Sequence, residues 1–391
     1  SAVTNAPLAF GNVRKGATVA NQTLTFGNTT VTDANYQDAL LVATTANNSK
    51  LTATGATIAA GTTGNLTVAI STATAGSLAD TLAVSQTSKA AAANLLDKDL
   101  GTLNVAVTGA VYDLANATVA GSLDLGNVRT TATGKINVAN TVITSSTYQD
   151  GLDVVAASTN GKLTVGTLGK ILAGADADLT VTAATAGDLA ANVALTLTSN
   201  ANGVVGLSNQ SLTGKTVAVT GVAYDYAKAV LASTSLALGN VRPGAADTLS
   251  VANEVITSST YQDGLLVAAT SANGNLTLTN PAKIAAGLTG TVGVKAKQAG
   301  SLDATVALAL TSDTNGVSGL TNLGLTGQSF GVTGAAYDYA KVDVTNAPLA
   351  FGNVRKGATV ANQTLTFGNT TVTDANYQDA LLVATTANNS K

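Results

Sequence analysis

The chain has 391 residues, of which 45% are hydrophobic, 4% aromatic and 10% charged, with a formal net charge of −3. Cores must therefore be built from Ala, Val, Leu and Ile, and without a basic block nothing is suited to neutralise a nucleic-acid backbone. Histidine and cysteine are absent, which excludes disulfides, imidazole or thiolate metal sites and His-assisted Ser or Cys nucleophiles.

Taken from the N-terminus, the chain opens on Gly11-Asn12-Val13-Arg14, passes Tyr36-Gln37-Asp38 and an Ala75–Leu78 turn, and reaches Val-Thr-Gly-x-x-Tyr-Asp ending at Asp113. Ala90–Leu96 between them is Ala-rich enough for a short helical turn. The same markers then return in order. Gly-Asn-Val-Arg recurs at Gly126–Arg129, Gly239–Arg242 and Gly352–Arg355, at steps of 115, 113 and 113 residues. Tyr-Gln-Asp recurs from Tyr148, Tyr261 and Tyr377, and the closing motif at Asp225 and Asp338. A self-similar period of this size marks repeated structural units. The expected domains are residues 1–115, 116–228 and 229–343, followed by the first half of a fourth repeat at 344–391. Val344–Lys391 reproduces Val3–Lys50 without change, which points to duplication of a three-repeat block and to a longer natural chain.

Within the second repeat, Leu163 and Val165, Leu179 and Val181, Val193, Leu195 and Leu197, and Val217 and Val219 alternate with small or polar residues. A period of two predicts half-buried strands. Leu276 and Leu278, then Val306, Leu308 and Leu310, repeat the pattern. Asn-Gly pairs at 160–161, 202–203, 273–274 and 315–316 are expected to turn the chain with positive φ. About seven strands in roughly 113 residues predict an all-β, Ig-like β-sandwich. A β-solenoid is the rival, but its repeat would be much shorter. Short linkers, such as Ala227–Ser235, predict a tandem array joined into a rod.

Leu-x-Leu-Gly-Asn-Val-Arg (Leu123–Arg129, Leu236–Arg242), the Ala-Gly-x-Leu turn (Ala75–Leu78, Ala186–Leu189, Ala299–Leu302) and the closing Val-Thr-Gly-x-x-Tyr-Asp form an ordered set. This set resembles the "choice-of-anchor D" Ig-like repeats of bacterial surface and secreted proteins, over all three full repeats and the partial fourth. The resemblance implies an extracellular or cell-surface β-sandwich array with no catalytic residues.

Four arginines, Arg14, Arg129, Arg242 and Arg355, share one repeat position, as do Asp38, Asp150, Asp263 and Asp379 of Tyr-Gln-Asp. An intradomain ion pair or a hydrogen bond to backbone carbonyls is the expectation for each Arg, with the Asp set as candidate partner and Arg129 steadying its own domain by about 1–3 kcal/mol. Tyr112, Tyr224 and Tyr337 stand at each repeat's exit, where they would either plug their own sandwich or pack on the next one. Asp113, Asp225 and Asp338 are isolated acids, so neither a calcium site nor any cofactor is expected. No signal peptide or long apolar span is visible, so an export signal or anchor, if there is one, is expected outside these residues. The functional expectation is a non-catalytic structural segment of a filament, fibre or adhesin stalk. Its partners would be neighbouring copies of the repeat, in the same chain or in adjacent protomers. An adhesive module recognising glycan or another cell surface is the alternative. The half-repeat would be either the edge of a longer array or a segment completed by another chain.

Overall fold

A computed structural model describes residues 2–90, 92 and 94–388. It is all-β, with 31 strands and four single-turn 3-10 helices among the described residues. The chain divides into two compact units. One holds Ser1–Leu125, Thr133–Thr182 and Leu189–Thr220; the other holds Gly126–Ala132, Ala183–Asp188 and Gly221–Lys391.

In the first unit, repeat 1 contains ten strands: β1 (Ala2–Thr4), β2 (Leu8–Arg14), β3 (Gln22–Gly27), β4 (Ala39–Thr45), β5 (Leu51–Ala53), β6 (Ala56–Ile58), β7 (Thr63–Ile70), β8 (Gly76–Ser77), β9 (Asp80–Lys89) and β10 (Lys98–Tyr112). One sheet has the order β1-β3-β7-β5, and the other β2-β10-β9-β4-β6 with β8 also on β10. Alternate residues from both sheets meet in one core: Leu24, Phe26, Leu66 and Val68 from the first, and Leu8, Leu40, Val42, Leu82, Val84, Val105 and Val107 from the second. Burying one face of each strand against the other sheet gives the Ig-like sandwich.

The second repeat forms the same two sheets, and so does the third, which lies in the second unit. The latter's core runs from Leu249 and Val251 through Val292 and Val294 to Leu308, Phe330 and Val332. The strand number exceeds the expected seven because Gly76–Ser77, Gly187–Asp188 and Gly300–Ser301, among others, pair over only two residues. Such pieces are too short to leave an alternating pattern in sequence.

Two of the four Asn-Gly pairs turn as expected, with φ of 56° at Asn202 and 57° at Asn315. The other two do not reach positive φ. There the Asn160 and Asn273 side-chain carbonyls accept from the N–H groups of Lys162 and Asn275, making Asx turns. The helical turn expected within Ala90–Leu96 falls partly outside the described residues, at 91 and 93.

The first long strand of the repeat lies parallel to the last. β10 pairs with β2 from Val107↔Leu8 to Tyr112↔Arg14, with a register shift at Gly109 and Gly11. Both glycines have positive φ, and a side chain at Gly109 would come within 2.5 Å of the Gly11 carbonyl oxygen. Gly334 meets Gly239 in the same way in repeat 3. The opening and closing motifs are thus two halves of one bulged parallel ladder, and glycine is required where the backbones close on each other.

Candidate functional site: the repeat seams

The parallel ladder delivers Arg14, Tyr112 and Asp113 to the same end of repeat 1. Only Asp113–Asn116 separate β10 from the next strand, Ala117–Val119. The Tyr-Gln-Asp turn of repeat 2 closes on that exit. A 3-10 turn, Ser146–Tyr148, is capped by Ser145 accepting from the Thr147 N–H. The Asp113 N–H donates to the Tyr148 carbonyl and the Asp150 N–H donates back to the Asp113 carbonyl, a parallel bridge across the seam. The Tyr112 ring meets Tyr148 edge-on, with centroids 5.6 Å apart.

Arg14 then crosses the seam. Its Nη1 donates to Asp150 Oδ1 at 2.7 Å and its Nη2 to the Ser208 carbonyl at 2.9 Å. Asn12 of the same motif donates to the Val205 carbonyl. Asp150 is 1% exposed. Its second oxygen accepts from the Ser199 hydroxyl, which itself accepts from the Ala115 N–H in the linker. The buried carboxylate is therefore compensated by a guanidinium and a hydroxyl, the condition under which burial of charge is tolerated.

The second seam, within the other unit, repeats this construction. Arg129 pairs with Asp263 at 2.9 Å, Asn127 donates to the Ser318 carbonyl, and Ser312 bridges Asp263 to the Ala227 N–H. Tyr224 stacks edge-on against Tyr261 at 5.9 Å. At the third seam Arg242 pairs with Asp379 at 2.6 Å and Tyr337 lies against Tyr377. Here both charged side chains are about 40% exposed, at 39% and 41%. The bond from Asp379 holds the Arg242 guanidinium above its usual value.

The expected Arg–Asp pairing is thus made with a different Asp. Arg14, Arg129 and Arg242 each bond the Asp of the following repeat, not the one in their own, so the expectation that Arg129 acts within its own domain is corrected. Arg242 also donates to the Tyr337 and Asp338 carbonyls of its own repeat, as the backbone alternative expects. The reason is geometric: the Arg strand ends at the exit of a repeat, whereas the Tyr-Gln-Asp turn faces the incoming linker. Asp38 instead accepts from Ser88 of its own repeat. Arg355 is exposed and has no acid partner among the described residues.

The seams differ in their cation chemistry. Lys15 places Nζ 3.4 Å from Asp113 Oδ1, an ion pair without hydrogen-bond geometry. Thr130 and Pro243 replace Lys15 in the next repeats. There the guanidinium instead lies over a ring, Arg129 over Tyr226 at 4.4 Å and Arg242 over Tyr339 at 4.0 Å. Leu114 stands at that position in the first seam.

Beneath each Asp lies a pair the motif search missed. Asn140, fully buried, donates to the carbonyls of Asp150 and Ile171 and accepts from the Asn116 N–H. Gln149 donates to Asn140 Oδ1 and to the Thr141 carbonyl, and accepts from the Ile143 N–H. Asn253 with Gln262, Asn28 with Gln37, and Asn369 with Gln378 do the same. The signal was available: an Asn always stands nine residues before the Gln of Tyr-Gln-Asp. Among the described residues, no group of three or more acids, His or Cys could hold a metal, and no helix is long and apolar enough to cross a membrane.

No protein-family model matches the chain, and no curated protein matches it. Among solved structures, the human desmocollin-1 ectodomain is similar at 10% identity and a TM-score of 0.36, over 88% of this chain and 64% of that one. Mouse cadherin-23 EC22-24 is 12% identical with a TM-score of 0.35, over 86% and 97%. The D00-D0 domain of intimin is 17% identical with a TM-score of 0.26, over 55% and 99%. The chain spans 39% of each of two endo-fucoidan hydrolases, at TM-scores of 0.24 and 0.23. At these scores the matches carry no argument about function.

Proposed function

We propose that this chain is a tandem-repeat segment of a non-catalytic extracellular or cell-surface structural protein of the choice-of-anchor D type, serving as part of a bacterial filament, fibre or adhesin stalk. The observation that carries this reading is the parallel ladder between the first long strand and the last. Tension entering repeat 1 at Leu8 and leaving at Tyr112 acts at opposite ends of that ladder. The ladder is loaded in shear, so its hydrogen bonds must break together and not one by one. Repeat 3 has the same arrangement between Ser235 and Ala336. The seam pairs then resist separation of successive repeats.

Resistance to force depends on the rate of unfolding, so single-molecule pulling on the 391-residue chain is the test. The expected record has three discrete unfolding peaks of similar height. A featureless low-force extension, or selective glycan binding by the same chain on an array, would favour the adhesive alternative.

A further inference from the structure

The four Asn-Gly pairs fall into two kinds. Asn160 and Asn273 are half-buried and their side chains are tied at both ends. Each side-chain carbonyl accepts from the amide two residues on, and each Nδ2 donates to the main chain, to the Ala190 carbonyl from Asn160 and to the Ser301 and Asp303 carbonyls from Asn273. Asn202 and Asn315 are exposed at positive φ, and among the described residues no hydrogen bond holds either side chain. The space beside Gly203 and Gly316 is open. Both of these pairs sit at the start of the loops that grip the preceding repeat. Residues 201–208 carry the Val205 and Ser208 carbonyls that accept from Asn12 and Arg14. Residues 314–321 carry the Ser318 and Thr321 carbonyls that accept from Asn127 and Arg129.

We infer that Asn202 and Asn315 are sites of spontaneous isoaspartate formation, and that each conversion loosens its seam. Hydroxide from the solvent takes the proton of the Gly203 N–H, and the nitrogen attacks Asn202 Cγ. The Cγ–Nδ2 bond breaks, ammonia leaves and a cyclic imide closes. Water then opens the ring at either carbonyl. Opening at Cγ gives aspartate. Opening at the main-chain carbonyl gives isoaspartate, in which the chain runs through Cβ and Cγ. That adds one atom to the backbone path ahead of Val205 and Ser208 and shifts their carbonyls away from Asn12 and Arg14. Asn315 and Gly316 undergo the same steps at the second seam. Glycine favours the attack because it puts no side chain beside the nitrogen. At Asn160 and Asn273 the side-chain bonds must break before Cγ can reach the nitrogen, which slows those pairs by about tenfold. The seam geometry carries this inference, independently of the function proposed above.

The test is to age the 391-residue chain at mildly alkaline pH, folded and in urea, and to map deamidation by peptide mass spectrometry. In urea all four pairs should convert at similar rates. In the folded chain Asn202 and Asn315 should lead Asn160 and Asn273 by about tenfold. Folded molecules carrying isoaspartate at position 202, separated by ion exchange, should then exchange the Asp113 and Asp150 amide hydrogens several-fold faster than the unaged chain, because those amides bridge the same seam. Asn202→Asp supplies the charge without the longer backbone and should exchange them more slowly than the isoaspartate form. Equal protection of all four pairs on folding, or a lead for Asn160 and Asn273, would overturn the assignment of the sites. Unchanged exchange in the isoaspartate form, or exchange no faster than in Asn202→Asp, would overturn the effect on the seam.

Discussion

Repeat 1 and the half-repeat at the C-terminal end begin with the same sequence and reach different structures. In repeat 1 the stretch supplies β1 to β4 and a buried core. In residues 344–388 the ladder strand over Gly352–Arg355 does not form, yet the 3-10 turn and the Asn369–Gln378 pair do. The difference is one of range. The Asn–Gln pair closes within about ten residues, and Asn369 Oδ1 also accepts from the N–H of Lys341, just before the adjoining strand. The strand at Leu8 needs Val107, a partner roughly a hundred residues away. Strand propensity alone does not make a strand; a neighbour must complete its ladder.

The sharpest way to break this comparison is to truncate the same side chain in both places. Phe26→Ala should cost repeat 1 about 3–5 kcal/mol, whereas Phe367→Ala should cost less than about 1 kcal/mol, as read by hydrogen exchange in each segment. Equal effects would mean that both segments are packed alike. A similar contrast is expected at the seams. Arg129→Ala leaves Asp263 buried without its cation and should destabilise that seam by about 3 kcal/mol. Arg355→Ala should leave the unfolding profile of the isolated chain unchanged.

Asn140→Ala removes bonds to several buried partners and should cost about 1–3 kcal/mol. At the exposed Asn369 water can replace the lost bonds, so Asn369→Ala should cost clearly less in the same denaturant titration. Leu114→Tyr would bring the first seam closer to the second by offering Arg14 a ring, with a gain of at most about 1 kcal/mol.

The smallest effect belongs to exposed pairs. Hydrogen bonds from Lys135, then Asn137, hold the Asp178 carboxyl below its ordinary 3.8. A depressed folded-state value contributes stability above 3.8 that is lost as the pH falls through the folded value. The loss should be slight and confined to the acid side of 3.8. Lys135→Ala should move the Asp178 titration, followed by carboxyl NMR shifts, back toward 3.8.

The sandwich was legible because its core positions alternate: Leu195 and Leu197, or Leu308 and Leu310, are buried where the period of two places them. The seam residues were legible as a set, since Arg, Asp and Tyr keep their places in every repeat. Which Asp each Arg meets was not. Near-identical repeats present the same Asp within the repeat and beyond it, and only the parallel ladder, which sends Arg14 toward the exit, decides between Asp38 and Asp150. The Asn–Gln pair went unnoticed because buried amides leave no periodic pattern, and only alignment of the repeats against one another exposes their fixed spacing.

The central claim is that each Arg binds forward into the following repeat. A double-mutant cycle on the full chain tests it directly, combining Arg129→Ala with Asp263→Asn and, separately, with Asp150→Asn. The account predicts a coupling of about 2 kcal/mol with Asp263 and additivity within about 0.5 kcal/mol with Asp150. Coupling to Asp150 together with additivity at Asp263 would contradict it.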